Sequence, residues 1–125
     1  MARLLLIDDD SDFLNVSSSL LKRKGFEVNN CNNLEDALAE IETFNPHIII
    51  LDVFLSGVDG LGICKKLKTN RDTSHIPVVV ISGYPKCADQ AVHDCGADDF
   101  IPKPFEISEL VNKIHDILSY SNTTF

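Results

Sequence analysis

Three uninterrupted apolar runs punctuate the chain: Leu4-Leu5-Leu6-Ile7, Ile48-Ile49-Ile50-Leu51 and Val78-Val79-Val80-Ile81. None alternates with polar residues. Short continuous runs rich in β-branched residues fit strands buried on both faces of a parallel sheet. Residues 26–30 and 98–102 are two weaker strand candidates. Between these segments the apolar positions switch to helical spacing. Leu34, Ala37, Leu38 and Ile41 follow i, i+3, i+4, i+7 behind Asn33, whose side chain can accept from a free backbone N–H as an N-cap. Ala88, Ala91, Val92 and Cys95 repeat the rule, with Gly96 where a helix C′ glycine belongs. Residues 13–24 present Phe13, Val16, Leu20 and Leu21 and stop at Gly25. Residues 59–68 turn Ile63, Cys64 and Leu67 inward, and Ile107, Leu110, Val111, Ile114, Ile117 and Leu118 form the cleanest stripe. Only residues 119–125 read as a frayed tail.

Strand and helix thus alternate from one end to the other. Strict alternation predicts an α/β three-layer sandwich, a parallel sheet with helices on both faces. No linker, internal repeat or low-complexity tract divides the 125 residues, so residues 1–125 are expected to form a single domain.

In such sheets the functional crevice lies beyond the carboxyl ends of the strands, where the winding direction switches. The residues that follow each apolar run therefore matter most. After the first come Asp8, Asp9 and Asp10, then Ser11 and Asp12. Asp52 follows the second, Ser82 the third, and Lys103 follows the last strand candidate. Acids favour helix N-termini, which accounts for one of them, Asp10 or Asp12. It does not account for Asp52 and Lys103 at other strand ends. Two like charges ~4 Å apart repel by on the order of 4 kcal/mol at an effective dielectric of about 20. A hard divalent cation with oxygen ligands relieves this, and Mg²⁺ suits a small carboxylate set that keeps several waters. A lysine in the same crevice neutralises more charge and can bind an anionic oxygen, and a serine hydroxyl can donate to another. Nucleophile, metal, ammonium and hydroxyl donor together suit phosphoryl transfer to a carboxylate.

Charge narrows the partners. The net charge is −8 and the isoelectric point lies near 4.7, which disfavours direct nucleic-acid binding or an anionic membrane surface and favours cations and basic patches. No apolar run exceeds four residues, so neither a transmembrane helix nor a signal-peptide core is expected, and the expected location is cytoplasmic. Cys31, Cys64, Cys87 and Cys95 contain no CxxC pair, and Cys87, His93 and Cys95 match no standard zinc spacing. The cysteines read as small buried hydrophobes in a reduced protein. His47, His75, His93 and His115 read as surface or loop residues without a chemical role.

Four segments carry a resemblance to the receiver domain of bacterial two-component response regulators. They are Leu6-Ile7-Asp8-Asp9-Asp10, the stretch from Ile50-Leu51-Asp52-Val53-Phe54 to Asp59-Gly60, Pro77-Val78-Val79-Val80-Ile81-Ser82-Gly83, and Lys103-Pro104-Phe105. The resemblance implies a flavodoxin-like fold with strand order 2-1-3-4-5. It implies that Asp52 is the phosphoacceptor, with Ser82 and Lys103 as its catalytic companions. Mg²⁺ (or Mn²⁺) would be held by Asp9 directly, by Asp8 largely through water, by Asp52 and by the backbone carbonyl of Phe54. Ser82 and Phe100 would be the switch pair, and the Lys103–Pro104 peptide would be cis.

The chain departs from the commonest family pattern at Ser56, Gly83, Pro102 and Phe54, none of which removes a core group. The implied function is a phosphorylation-controlled signalling switch. It is a phosphoacceptor rather than a turnover enzyme, served by a sensor histidine kinase or phosphotransfer protein. An output partner, or a phosphorylation-dependent homodimer, would use the face formed by residues 88–95, 98–102 and 107–118. The competing reading is an aspartate-nucleophile phosphatase on a similar fold. It needs a second acid two residues after the nucleophile, where this chain has Phe54.

Overall fold

The computed structural model describes residues 2–8, 10–52, 54–55, 58–83 and 90–122. Strand β1 (Arg3–Ile7) leads through helix α1 (Ser11–Arg23) to β2 (Glu27–Cys31), and helix α2 (Leu34–Phe44) leads on to β3 (Ile48–Asp52). A two-stranded antiparallel hairpin, β4 (Phe54–Leu55) and β5 (Val58–Asp59), precedes helix α3 (Gly60–Thr69). Then come β6 (Val78–Ser82), a π-helical turn over Gln90–Asp94, β7 (Asp99–Pro102) and helix α4 (Ile107–Asn122). The main sheet runs β2-β1-β3-β6-β7, all parallel. Counting only its own strands, this is the expected 2-1-3-4-5 order, with the winding reversed between β1 and β3.

The continuous apolar runs are explained by burial on both sides. Leu5, Ile7, Ile49, Leu51, Val78 and Val80 pack against Ala37 and Ile41 of α2, Ile63, Cys64 and Leu67 of α3, and Ala91 of the π-turn. Their neighbours Leu4, Leu6, Ile48, Ile50, Val79 and Ile81 face the other way, onto Leu14 and Leu21 of α1 and Leu110 and Ile114 of α4. A strand with a helical layer on each face has no position left for a polar residue until it reaches its carboxyl end. Cys31, Cys64 and Cys95 are buried, as expected, while Cys87 lies outside the described residues. Burial pushes the thiols of Cys31 and Cys64 up to about 12, which keeps them protonated and inert. His47, His75, His93 and His115 are all exposed.

Several local expectations shift. Helix α1 buries Leu14, Ser17, Ser18 and Leu21 and packs Phe13 partly against the core, so Phe13 and Leu21 of the expected stripe face inward while Val16 is 60% exposed. Leu38 of α2 is also largely exposed, at the rim of the layer. Strand β2 begins at Glu27 instead of residue 26, because pairing with β1 sets Arg3 beside Glu27 and Ile7 beside Cys31. Asp59 pairs with Phe54 in the hairpin, and α3 starts one residue later than expected. Ala88 of the expected helix lies outside the described residues; Gln90–Asp94 form the π-turn, and Ala91 and Cys95 are buried. The last helix does not stop at residue 118; α4 runs to Asn122, since no glycine or proline ends it earlier.

Two glycines have left-handed backbone, Gly25 (φ +96°) after α1 and Gly96 (φ +80°) after the π-turn. At Gly96 an added Cβ would also meet the Lys68 side chain at 3.2 Å. Among the described residues, no helix is long and apolar enough to cross a membrane.

Candidate functional site

Parallel pairing brings the strand ends to one edge. β1 and β3 pair with Ile7 beside Leu51, and continuing that register sets Asp8 beside Asp52. Asp52 pairs with Ile81, so Ser82 emerges one residue further along the edge. The backbone N–H of Lys103 donates to the Ser82 carbonyl at 2.8 Å, which brings the segment after β7 across to the same edge. Asp8, Asp52 and Ser82 are all buried, at 1%, 7% and 0% exposure. Four separate strand ends thus supply the carboxylates, the hydroxyl and the ammonium.

Lys103 is the centre of this arrangement. Its Nζ donates to Asp52 Oδ2 at 2.6 Å, a short charge-assisted bond, and lies 3.7 Å from Asp8 Oδ2. The second distance is an ion pair and too long for a hydrogen bond. Asp8 Oδ1 accepts from the Asp10 N–H at 3.0 Å. Asp8 Oδ2 is buried and has no hydrogen-bond partner among the described residues. Burial pushes the Asp8 carboxyl up from 3.8 to about 7. The Asp10 N–H opposes that rise, the neighbouring Asp52 carboxylate adds to it, and the Lys103 ammonium offsets part of it.

Of the other acids, Asp10 is the N-cap of α1, accepting from the N–H groups of Asp12 (3.0 Å) and Phe13 (3.1 Å). Asp9 lies outside the described residues, as does Ser56. Phe54 is described in its backbone, as the first residue of the hairpin. Phe100 is half-buried on the α2–α3 side, beside Val80 in register and two residues back from Ser82 along the edge. The peptide between Lys103 and Pro104 is cis. Sequence spacing did not reveal the ring of Phe13, whose centroid lies 4.4 Å from Lys103 Nζ. No local signal links a residue in the first helix to a lysine after the last strand.

A family model for the response regulator receiver domain matches residues 4–115. The chain belongs to that family. The heme response regulator HssR of Staphylococcus epidermidis is 34% identical over 119 residues, which are 94% of this chain and 52% of that protein. The sensory transduction protein RegX3 of Mycolicibacterium smegmatis is 31% identical over 119 residues, 94% of this chain and 51% of its own. This receiver domain therefore spans about half the length of those relatives. Among solved structures, the receiver domain of NtrX from Brucella abortus superimposes with a TM-score of 0.84 at 32% identity, covering 93% of this chain and 98% of its own. A two-component response regulator from Clostridium difficile gives 0.87 at 28% identity, covering 98% and 99%.

Proposed function

We propose that this receiver domain is a switch controlled by phosphorylation of Asp52. The observation that carries the reading is the Lys103 ammonium held 2.6 Å from Asp52 and 3.7 Å from Asp8, across the ends of three strands. A lysine in that position neutralises the acceptor's surroundings and is at hand for the charge a phosphoryl group brings. The donor is a phosphohistidine of a sensor histidine kinase or a phosphotransfer protein. A carboxylate oxygen of Asp52 attacks phosphorus, the P–N bond breaks, and the imidazole leaves with the bonding pair. The product is an acyl phosphate on the domain itself, so the domain is a phosphoacceptor with no released product of its own. The position two residues on, where an aspartate-nucleophile phosphatase needs an acid, is Phe54.

The donor set fits a hard divalent cation. Asp8 Oδ2 is a buried carboxylate oxygen without a hydrogen bond among the described residues, beside a second carboxylate. Oxygen donors of that kind select Mg²⁺, or Mn²⁺, over softer metals. Asp8, Asp9, Asp52 and the carbonyl of Phe54 are the residues that would hold it. When bound, the cation neutralises the carboxylate cluster and the charge on transferring oxygens. Lys103 then pairs with a phosphoryl oxygen, and the Ser82 hydroxyl donates to another. Phe100, next to Val80 and level with Ser82's side of the sheet, follows that movement and alters the face formed by the π-turn, β7 and α4. That face meets the output partner or a second copy of the domain, and the cytoplasm is where the kinase donor is made.

The test is intact-mass measurement after incubation with acetyl phosphate and Mg²⁺. Wild type should gain the mass of one phosphoryl group, and Asp52→Asn should not. A gain that survives that substitution, or maps to a histidine, overturns the assignment.

A further inference from the structure

Lys103 has three N–H directions and a charge to satisfy. One direction is taken by Asp52, and a second faces Asp8. On its remaining side stands the ring of Phe13, centroid 4.4 Å away. That distance is well inside the range at which a cation is attracted to an aromatic face. The ring does not float. Phe105 meets it edge-on, with centroids 6.3 Å apart and planes at 79°. At its backbone, the Phe13 N–H is tied to Asp10 Oδ1, and the Asp10 N–H is tied to Asp8 Oδ1. The chain of contacts therefore closes on itself: Asp8, Asp10, Phe13, Lys103 and back to Asp8.

We propose that Phe13 is a positioning residue for the phosphoryl-transfer site, its ring forming the third wall of a seat that holds the Lys103 ammonium on Asp52. This rests on the reading of Asp52 as phosphoacceptor. Lys103 is only partly covered, at 29% side-chain exposure, so without the ring its third side belongs to water. A hydrated lysine on a four-carbon stem samples many rotamers. A ring carries no hydrogen-bond acceptor that could compete with the carboxylates, yet its negative face still favours the ammonium. The seat thus keeps the charge in place without neutralising it, leaving it free to pair with an incoming phosphoryl oxygen. An aliphatic residue of the same bulk would shield Lys103 from water without attracting it.

The experiment replaces Phe13 in the full chain by mono-, di- and trifluorophenylalanine, which keep its shape while weakening the ring's negative face. Phe13→Leu and Phe13→Tyr accompany the series. Two readouts are followed. In the unphosphorylated protein, the Lys103 ε-methylene proton resonances should lie upfield through the ring current and return toward ordinary values in Phe13→Leu. The initial rate of Asp52 phosphorylation from acetyl phosphate should fall stepwise with fluorine number, reach about a fivefold loss in Phe13→Leu, and be largely restored in Phe13→Tyr. Absence of the upfield shift in wild type overturns the seat, whatever the phosphorylation rate. A normal shift with rates that are flat across the fluorinated series overturns the positioning role and leaves the acceptor assignment standing. A normal shift with no phosphoryl group on Asp52 in wild type overturns the acceptor assignment, and the kinetic role with it.

Discussion

Replacing Asp8 by asparagine should stabilise the metal-free protein at neutral pH. The Asp8 carboxyl is raised from 3.8 to about 7 in the folded state, chiefly because folding buries it. A carboxyl whose folded value lies above its unfolded value binds protons more tightly when folded. Its stabilising contribution is fully present below about pH 4 and is lost as pH rises through about 7. Above that, the ionised group works against folding. The difference is more than a thousandfold in proton affinity, equivalent to about 4 kcal/mol. Asp8 sits at the edge of the sheet, where relaxation and water reduce such a penalty. Asparagine also loses the 3.7 Å ion pair with Lys103 and sets an amide N–H₂ toward that ammonium, while its oxygen still accepts from Asp10. We therefore expect a net gain of about 2 kcal/mol at pH 8, or on the order of 5–10 °C in Tm. The assay is urea unfolding of wild type and Asp8→Asn in a chelating buffer from pH 5 to pH 8. The gap should widen as pH rises, because wild type weakens while the variant does not share that loss. Parallel pH profiles, or a variant less stable than wild type at pH 8, would refute the reasoning.

Adding Mg²⁺ should close most of that gap: wild type gains about 1.4 kcal/mol at tenfold excess over Kd, and thermal melts should show little gain for Asp8→Asn. On α1, Leu14→Ala should cost about 2–5 kcal/mol and Val16→Ala less than about 0.5 kcal/mol, since Leu14 is 7% exposed and Val16 is 60% exposed. Equal losses by chemical denaturation would show that the inner stripe of α1 is misassigned. Gly83 has ordinary backbone, and an added Cβ there meets nothing within 4 Å among the described residues. Gly83→Ala should therefore stabilise by about 0.4–1 kcal/mol through the unfolded chain, and a lower Tm would contradict this.

The alternation of layers and the edge that gathers the candidate site residues were readable along the chain, while the strand order came only through the family resemblance. Strands buried on both faces must be apolar throughout, so their limits show in the sequence and the first polar residue after each marks the carboxyl edge. Asp8, Asp52, Ser82 and Lys103 stood out for that reason. The Asn33 cap and the turn at Gly25 were legible too, because each is decided by backbone groups within a few residues. The inner face of α1 was legible only in part. Periodicity placed Phe13 and Leu21 on it, but Leu14, Ser17 and Ser18 are buried there while Val16 is turned out, and a hydrophobic pattern overlooks serines. The continuation of α4 past residue 118, through Asn122, likewise came from continued helical bonding in a segment without a breaker. The electrostatics depended most on the third dimension. Nothing local raises the Asp8 carboxyl or sets Phe13 against Lys103. Both follow from parallel pairing and helix packing that bring residues distant in the chain to one edge, where burial removes the water that would have solvated each charge alone.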